Sequence, residues 1–423
     1  MRLYNALSKR YPTASIMNLY EYESRIQRPV MMKIPELQAN ERLKHVIFSG
    51  QFDRGLLEHI ARVADMIRAL SKTRDGGRFL TGLLSHKRAM LYFTQPSTRT
   101  FLSFMAACQI LGLTCNEVRD RSVSSEVKGE SPYDSIRMFS SYFDIIIMRS
   151  VLPNFAECCA YLMNDLDDFN QRNVPIINGG SGADEHPTQA LLDIYTIQRT
   201  FQFSSPKDSS AWTRFDELRQ KHPDLNKGLD NKTYGFCGDI GRGRTVRSLA
   251  SLLSQYENIT MVFITPDHPT MRMGPDLRSK LIASGVKVVE VTSFDELIDG
   301  EPAIEKIDCL YMTRIQREHD SDEDRQALDA LNLNQYCLST EMLGRMKEYT
   351  PIMHPFPRDD NHREIPPEID PDPRAMYFRQ ARNGMWMRAA LVAYLFDVDG
   401  RISNQYHMHF SEFHDYNTRV LQK

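Results

Sequence analysis

What this chain has little of narrows its class before any motif is read. Its 423 residues carry 52 Lys and Arg against 55 Asp and Glu, a formal net charge of −3. Bulk electrostatics therefore gives no reason to expect a nucleic acid or an anionic membrane as partner, and any positive site must be local. No apolar run approaches the roughly 20 residues that a bilayer-spanning helix needs. The amino terminus lacks a signal-peptide apolar core, and Arg2, Lys9 and Arg10 are followed at once by Glu21 and Glu23; it reads as a solvated extension rather than a transit peptide. The seven cysteines show no paired CxxC spacing, which fits reduced thiols in a cytoplasmic enzyme better than a disulfide framework or a zinc ribbon. No acid or cysteine cluster completes a site around His407, His409 and His414, so no metal is expected there and no cofactor elsewhere.

What is present is a chain with 41% hydrophobic residues, enough for two domains of roughly 150 residues each. Short apolar strands alternate with amphipathic helices twice over, first between about Leu91 and Thr200 and again from Thr233 to His354. That alternation predicts an α/β fold of two doubly wound parallel-sheet domains. A Ser-, Lys-, Asp- and Pro-rich stretch, about 202–232, separates them. Residues 1–44 read as an appended segment broken by Pro12, Pro29 and Pro35. Residues 399–423 read as a polar tail.

The stretch Leu91–Gly112 joins a buried strand, a tight polar turn and a helix. Pro96 stops the strand, and Ser97 is a good cap for a helix that opens Ser97-Thr98-Arg99-Thr100. Free N–H groups, three hydroxyls and a guanidinium at the positive end of a helix make an anion cradle, most naturally for phosphate. Alone, such a turn is more often an ordinary capped helix. Five other motifs, however, also fall at strand ends, where such sheets bind ligands: Arg149, Gly179–His186, Asp239–Arg244, Thr313–Gln316 and His354–Arg358. Arg149 directly follows a buried run, so it needs a partner or a ligand. His186 precedes a Pro suited to a first helical turn, and Gln189 lies three residues on.

Together QPSTRT, SEVKGES, MRS, EHPTQALLD, GDIGRGRTVRSL, LYMTRIQRE, MHPFPR and YFRQARNG, in that order, resemble the aspartate and ornithine carbamoyltransferases from about Leu43 to Leu395. MTRIQ and HPFPR place the likeness on the aspartate branch. The resemblance implies transfer from carbamoyl phosphate to L-aspartate, giving N-carbamoyl-L-aspartate and phosphate in pyrimidine synthesis. It implies a carbamoyl phosphate domain over 45–193, an aspartate domain over 194–378, and a C-terminal helix over 379–398 packing back on the first. A homotrimer with sites shared between neighbouring chains is implied too, while a regulatory chain stays open. By position, Ser97, Thr98, Arg99 and Thr100 hold phosphate, Arg149 and His186 reach the carbamoyl group, and Gln189 meets its amide. Ser124 and Lys128 arrive from the adjacent subunit, Lys128 serving both substrates. Arg244, Arg314 and Gln316 bind the aspartate carboxylates, with the carbonyls of Phe356 and Pro357 facing the carbamoyl and amino groups. Arg99, Thr100, Lys128, Arg149 and His186 are the catalytic set.

The chain departs from the family pattern at Gln95 for Glu, Phe101 for Arg, Phe356 for Leu and His319 for Arg. In the family that Glu bridges closed domains through basic partners matching Arg244 and His319, so weaker closure or cooperativity is expected. Competing readings are transfer to another amino acid, or a silent scaffold paralogue. A dinucleotide dehydrogenase is disfavoured, since GDIGRGRT puts Arg where a pyrophosphate loop needs small residues.

Overall fold

The computed structural model describes residues 22–120, 129–168, 172–181, 185–202, 214–222, 225, 228–315, 333–359 and 363–420. The chain divides into two compact units, 1–188 with 384–423 and 189–383.

The first unit holds a four-stranded parallel sheet of β1 (Arg88–Phe93), β2 (Thr114–Val118), β3 (Ile145–Arg149) and β4 (Ile176–Asn178) in the order β2-β1-β3-β4. Ile145 to Met148 are all 0% exposed, as a strand covered on both faces must be. The helices include α1 (Arg54–Leu70), α2 (Arg74–Leu83), α3 (Thr98–Ile110), α4 (Pro132–Tyr142) and α5 (Phe155–Asp168). α1 buries Leu57, Ile60, Val63, Ala64, Ile67 and Leu70, a helical spacing that needs no other cause.

The second unit holds a five-stranded parallel sheet of β5 (Thr233–Cys237), β6 (Thr260–Ile264), β7 (Lys287–Val291), β8 (Cys309–Met312) and β9 (Ile352–Met353), ordered β9-β8-β5-β6-β7. Its helices include α6 (Pro187–Gln202), α7 (Arg214–Lys221), α8 (Arg244–Leu253), α9 (Pro275–Ala283) and the start of α10 (Tyr377–Leu395). The expected α/β class, with two parallel sheets, is the one observed.

The segments expected as an appendage and a tail are built into the first unit. Tyr22 donates to Asp165 at 2.8 Å and Arg25 pairs with the same carboxylate at 3.2 Å. The buried Lys33 meets the buried Glu157 of α5 at 2.7 Å and donates to the Ile26 carbonyl at 2.7 Å. Burial raises the Glu157 carboxyl above its ordinary range even so, so this ion pair fixes position at a desolvation cost. Residues 399–420 are the helix α11 (Asp399–Val420), not a solvated tail. The buried Asp399 accepts from Arg42 and His59, each at 2.7 Å, and Ile402 is fully buried. A helix with one anchored face reads as polar because its other face meets water. The returning part of α10 ties in through Arg388, which donates to Ser103 at 2.7 Å and lies 4.8 Å from the Phe104 ring centre.

Candidate active site

Strand order reverses once in each sheet. In the first unit β1 is flanked by β2 and β3, and in the second β5 is flanked by β6 and β8. Loops leaving the two inner strands diverge there and open a crevice at their carboxyl ends. Gln95–Thr100 follows β1 and Arg149 ends β3, while Asp239–Arg244 follows β5 and Thr313–Ile315 follows β8.

α3 opens without a side-chain cap. Ser97 occupies the cap position with extended backbone, yet its hydroxyl makes no cap hydrogen bond, contrary to the capping role expected of it. Asp53, Thr73, Ser131 and Ser339 all accept a backbone N–H from their own helices. The Ser97 hydroxyl is thereby left for a ligand at the helix start. Thr98 and Arg99 are exposed and Thr100 is buried. The Gln95 amide donates to the Arg149 carbonyl at 3.1 Å, so the cradle and the end of β3 are joined.

The loop after β4 is fixed by one side chain. Asn178 Oδ1 accepts from the amides of Gly180 (2.9 Å) and Ser181 (3.0 Å), and its Nδ2 donates to the carbonyls of Glu185 (3.0 Å) and Ile47 (3.3 Å). Arg149 Nη1 reaches the Gly179 carbonyl at 3.3 Å, and the Ser150 amide donates to Ser181 Oγ at 3.0 Å. Glu185 accepts from the Ser49 amide at 2.7 Å and from its hydroxyl. Gly180 has φ +95°, and a Cβ there would lie 2.5 Å from His186 Cδ2. Glycine is thus required both by the backbone and by the imidazole lying on it. His186 is 4% exposed, a buried ring set at the strand-end face.

In the second unit, Gly238 (φ +115°) lets β5 and β8 end side by side, since a Cβ would fall 2.2 Å from the Thr313 carbonyl oxygen. Buried Asp239 accepts from the Arg242 amide (3.2 Å) and Nε (2.8 Å). Arg244 begins α8 and Arg314 follows β8, both half-buried. Below them lies a carboxylate hub. Asp193, 0% exposed, accepts from Gln189 (2.8 Å), Gln380 (2.6 Å) and Tyr311 (2.7 Å). Burial and the Asp193 charge push the Tyr311 hydroxyl well above its usual pKa, keeping it a donor. Gln380 Oε1 accepts the His354 amide at 2.8 Å; His354 Nδ1 accepts from the Phe356 amide at 2.8 Å, and its ring donates through Nε2 to Glu364 at 2.8 Å. The Phe356–Pro357 bond is cis and Phe356 has φ +59°. Arg358 grips Asp370 through two contacts, 2.7 and 3.2 Å, with Tyr377 adding a short bond. Burial alone would raise Asp370, but these donors hold it below the ordinary carboxylate range.

Two family models match in succession. The carbamoyl-P binding domain of aspartate/ornithine carbamoyltransferase matches residues 44–199, and the Asp/Orn binding domain matches 230–395. The chain belongs to the aspartate/ornithine carbamoyltransferase family. It is 37% identical over 356 residues to a chloroplastic aspartate carbamoyltransferase of Arabidopsis thaliana, covering 84% of this chain and 78% of the relative. Among solved structures it resembles the M. jannaschii aspartate transcarbamoylase catalytic subunit, at TM-score 0.64 and 32% identity, covering 84% and 98% of the two chains. The Trypanosoma cruzi enzyme in complex with carbamoyl phosphate and aspartate matches at TM-score 0.65 and 31% identity, covering 82% and 95%.

Against that family the first unit brings together Ser97–Thr100, Arg149 and His186 at one sheet edge, and the second holds Arg244, Arg314, Phe356, Pro357 and Gln189. Gln189 donates its Nε2 to Asp193, and its Oε1 has no bonding partner among the described residues. Ser124, Lys128, Gln316 and His319 lie outside the described residues. Phe101 is a core residue, 2% exposed, edge-on to Phe93 at 5.5 Å, and the Arg119 guanidinium lies 4.6 Å from its ring centre. Sequence reading missed Asn178, Gly180, Asp193, Glu364 and Gln380. Asp193 left a trace, four residues after Gln189 on one helix face, and Gly180 and Gln380 fell inside motifs singled out for other residues.

Proposed function

We propose that this chain transfers the carbamoyl group of carbamoyl phosphate to the amine of L-aspartate, releasing N-carbamoyl-L-aspartate and phosphate for pyrimidine synthesis. The observation that carries this reading is the placement of the family's cationic and hydroxyl residues at the strand-order reversals of both sheets. In it, Ser97, Thr98, Arg99 and Thr100 hold the phosphate at the open end of α3. Thr100, Arg149 and His186 donate to the carbamoyl oxygen as it becomes a tetrahedral oxyanion, and Gln189 Oε1 accepts from the carbamoyl amide. Arg244, Arg314 and Gln316 take the two carboxylates of aspartate. The carbonyls of Phe356 and Pro357 meet the carbamoyl and amino groups.

The amine attacks the carbamoyl carbon, a C–N bond forms, the C–O bond to phosphate breaks, and the departing phosphate accepts the amine proton. Carbamoyl phosphate is already activated, so positioning and charge stabilisation suffice, with no protein nucleophile. His186 then acts as a hydrogen-bond donor. Ser124 and Lys128 come from the adjacent subunit of a homotrimer, Lys128 and Arg99 stabilising the leaving phosphate. The functional division is 45–193 for carbamoyl phosphate and 194–378 for aspartate. The cytoplasmic setting rests on the thiol chemistry above; among the described residues no helix is long and apolar enough to cross a membrane.

Phosphate release by the purified chain, with carbamoyl phosphate and either L-aspartate or ornithine, tests the reading. Release with aspartate, reduced about 10³-fold by Arg99→Ala, is the expected result. Preference for ornithine, or no release with either amine, overturns it.

A further inference from the structure

The residue before His186 is held from a distant part of the chain. On the far side of the imidazole Pro187 opens α6, and beneath it Gly180 leaves no room, since a Cβ there would sit 2.5 Å from the ring. The third constraint is Glu185. Its carbonyl accepts from Asn178 Nδ2 at 3.0 Å, and its carboxylate accepts from the Ser49 amide at 2.7 Å and from the Ser49 hydroxyl. Hydrogen bonds to a carboxylate are roughly twice as strong as neutral ones. Ser49 is 1% exposed, so water does not compete for this tie.

Ser49 is itself a fixed point. Val46 joins the edge of β4, its amide donating to the Ile176 carbonyl and its carbonyl accepting from the Asn178 amide, each at 2.8 Å. The buried Gln51 then folds the chain back: its Oε1 accepts the Ile47 and Phe48 amides at 2.7 and 2.9 Å, and its Nε2 donates to the His45 carbonyl at 2.8 Å. From behind, the Leu37 carbonyl accepts the Lys44 and His45 amides at 2.9 and 3.2 Å, and Lys33 Nζ lies 5.1 Å from the Phe48 ring centre. Residues 33–37 precede the region that the family model matches. A segment bonded in front and behind has little freedom left to lose on meeting Glu185, and a supporting shell of this kind is what holds a reacting side chain to its angle.

We propose that Ser49 and Glu185 are positioning residues for the reaction, Ser49 holding Glu185 so that the His186 ring is presented to the carbamoyl oxygen at a fixed angle; this rests on the reading of His186 as a donor given above. The test is a double-mutant cycle on the full chain, read by kcat, by both KM values and by the histidine ring signals in NMR of chain carrying 13C-labelled histidine. Glu185→Ala should lower kcat about tenfold with both KM values within about twofold. Ser49→Ala, which keeps the amide donor, should cost about threefold, and Glu185→Gln, which keeps an acceptor oxygen, should recover most of the loss. Because Glu185 acts through His186, adding Glu185→Ala to His186→Ala should cost nothing further. The ring signal missing from His186→Ala should also move in Glu185→Ala with no substrate present. Additive losses of kcat in the double variant, or an unmoved ring signal, overturn the positioning role. No release by the unmodified chain, or an unchanged kcat in His186→Ala, is instead a failure of the reaction reading and takes this proposal with it; the displaced ring signal tells the two failures apart.

Discussion

Ser97–Thr100 and Arg149 of the first unit stand on regular elements, a helix start after β1 and the last residue of β3, while the Phe356–Pro357 turn of the second is irregular chain held by side-chain hydrogen bonds. The Ser97–Thr100 turn needs only the backbone of α3 to present its donors. The Phe356–Pro357 turn is instead held by Gln380, His354 and Glu364 in series, with Arg358 separately gripping Asp370. A helix N-terminus is cheap to build and tolerant of its neighbours. A chain of buried hydrogen bonds is cooperative, so losing one member leaves others unsatisfied. The two units should therefore fail differently when perturbed.

The largest effect is expected at the hub. Asp193→Ala strands the donors of Gln189, Gln380 and Tyr311, at about 3 kcal/mol or more in total. Urea unfolding should show that loss together with weakened aspartate binding, while phosphate affinity stays within about twofold. Equal loss of both affinities would erase the contrast between the units. In the first unit the matching break is steric. Gly180→Ala places a Cβ against the His186 ring at a backbone angle alanine resists, and kcat should fall about 100-fold, close to 2.7 kcal/mol, with the aspartate KM little changed. Single-turnover kinetics would read this directly.

The same contrast explains what could be read from sequence alone. Both parallel sheets were legible, because a strand buried on both faces must be a continuous apolar run, and Ile145–Met148 is one. The helix start after β1 was legible because Pro96 and the apolar spacing that follows are local signals. The hub was not, since Asp193, Tyr311 and Gln380 lie far apart in the chain and each alone reads as an ordinary polar residue. Residues 22–44 looked unstructured for a similar reason. Their order comes from Asp165 and Glu157, more than a hundred residues away.

A pH titration sharpens the comparison on the first-unit side. His45 is 0% exposed; its Nδ1 accepts the Ile176 amide at 3.0 Å and its Nε2 meets Asn164 at 3.2 Å, which anchors the edge of β4. Burial pushes its pKa down to about 3 from 6.5. Between those values the unfolded chain binds a proton that the folded chain refuses, so stability falls as pH falls from about 6.5 toward 3. From pH 6.5 to 5 this amounts to about 2 kcal/mol. His45→Gln should flatten that slope in urea midpoints, and a slope unchanged by the substitution would remove His45 from the account.

The smallest expected effect lies at Gln95, where the resemblance leads to an expected Glu. Gln95 follows β1, and its amide is bonded to the Arg149 carbonyl at 3.1 Å, so Gln95→Glu adds a charge close to the phosphate cradle without altering its backbone. Two consequences compete. If the added carboxylate serves a latch of the kind the family uses, through the residue matching Arg244, half-saturation by aspartate should improve by about two- to fivefold, below 1 kcal/mol, with kcat unchanged. If instead it is captured by Arg149, carbamoyl phosphate affinity should fall and aspartate affinity stay put. Measuring both constants on one preparation separates the two, and an unchanged aspartate constant would show that the loss of charge at position 95 has nothing to do with weaker closure.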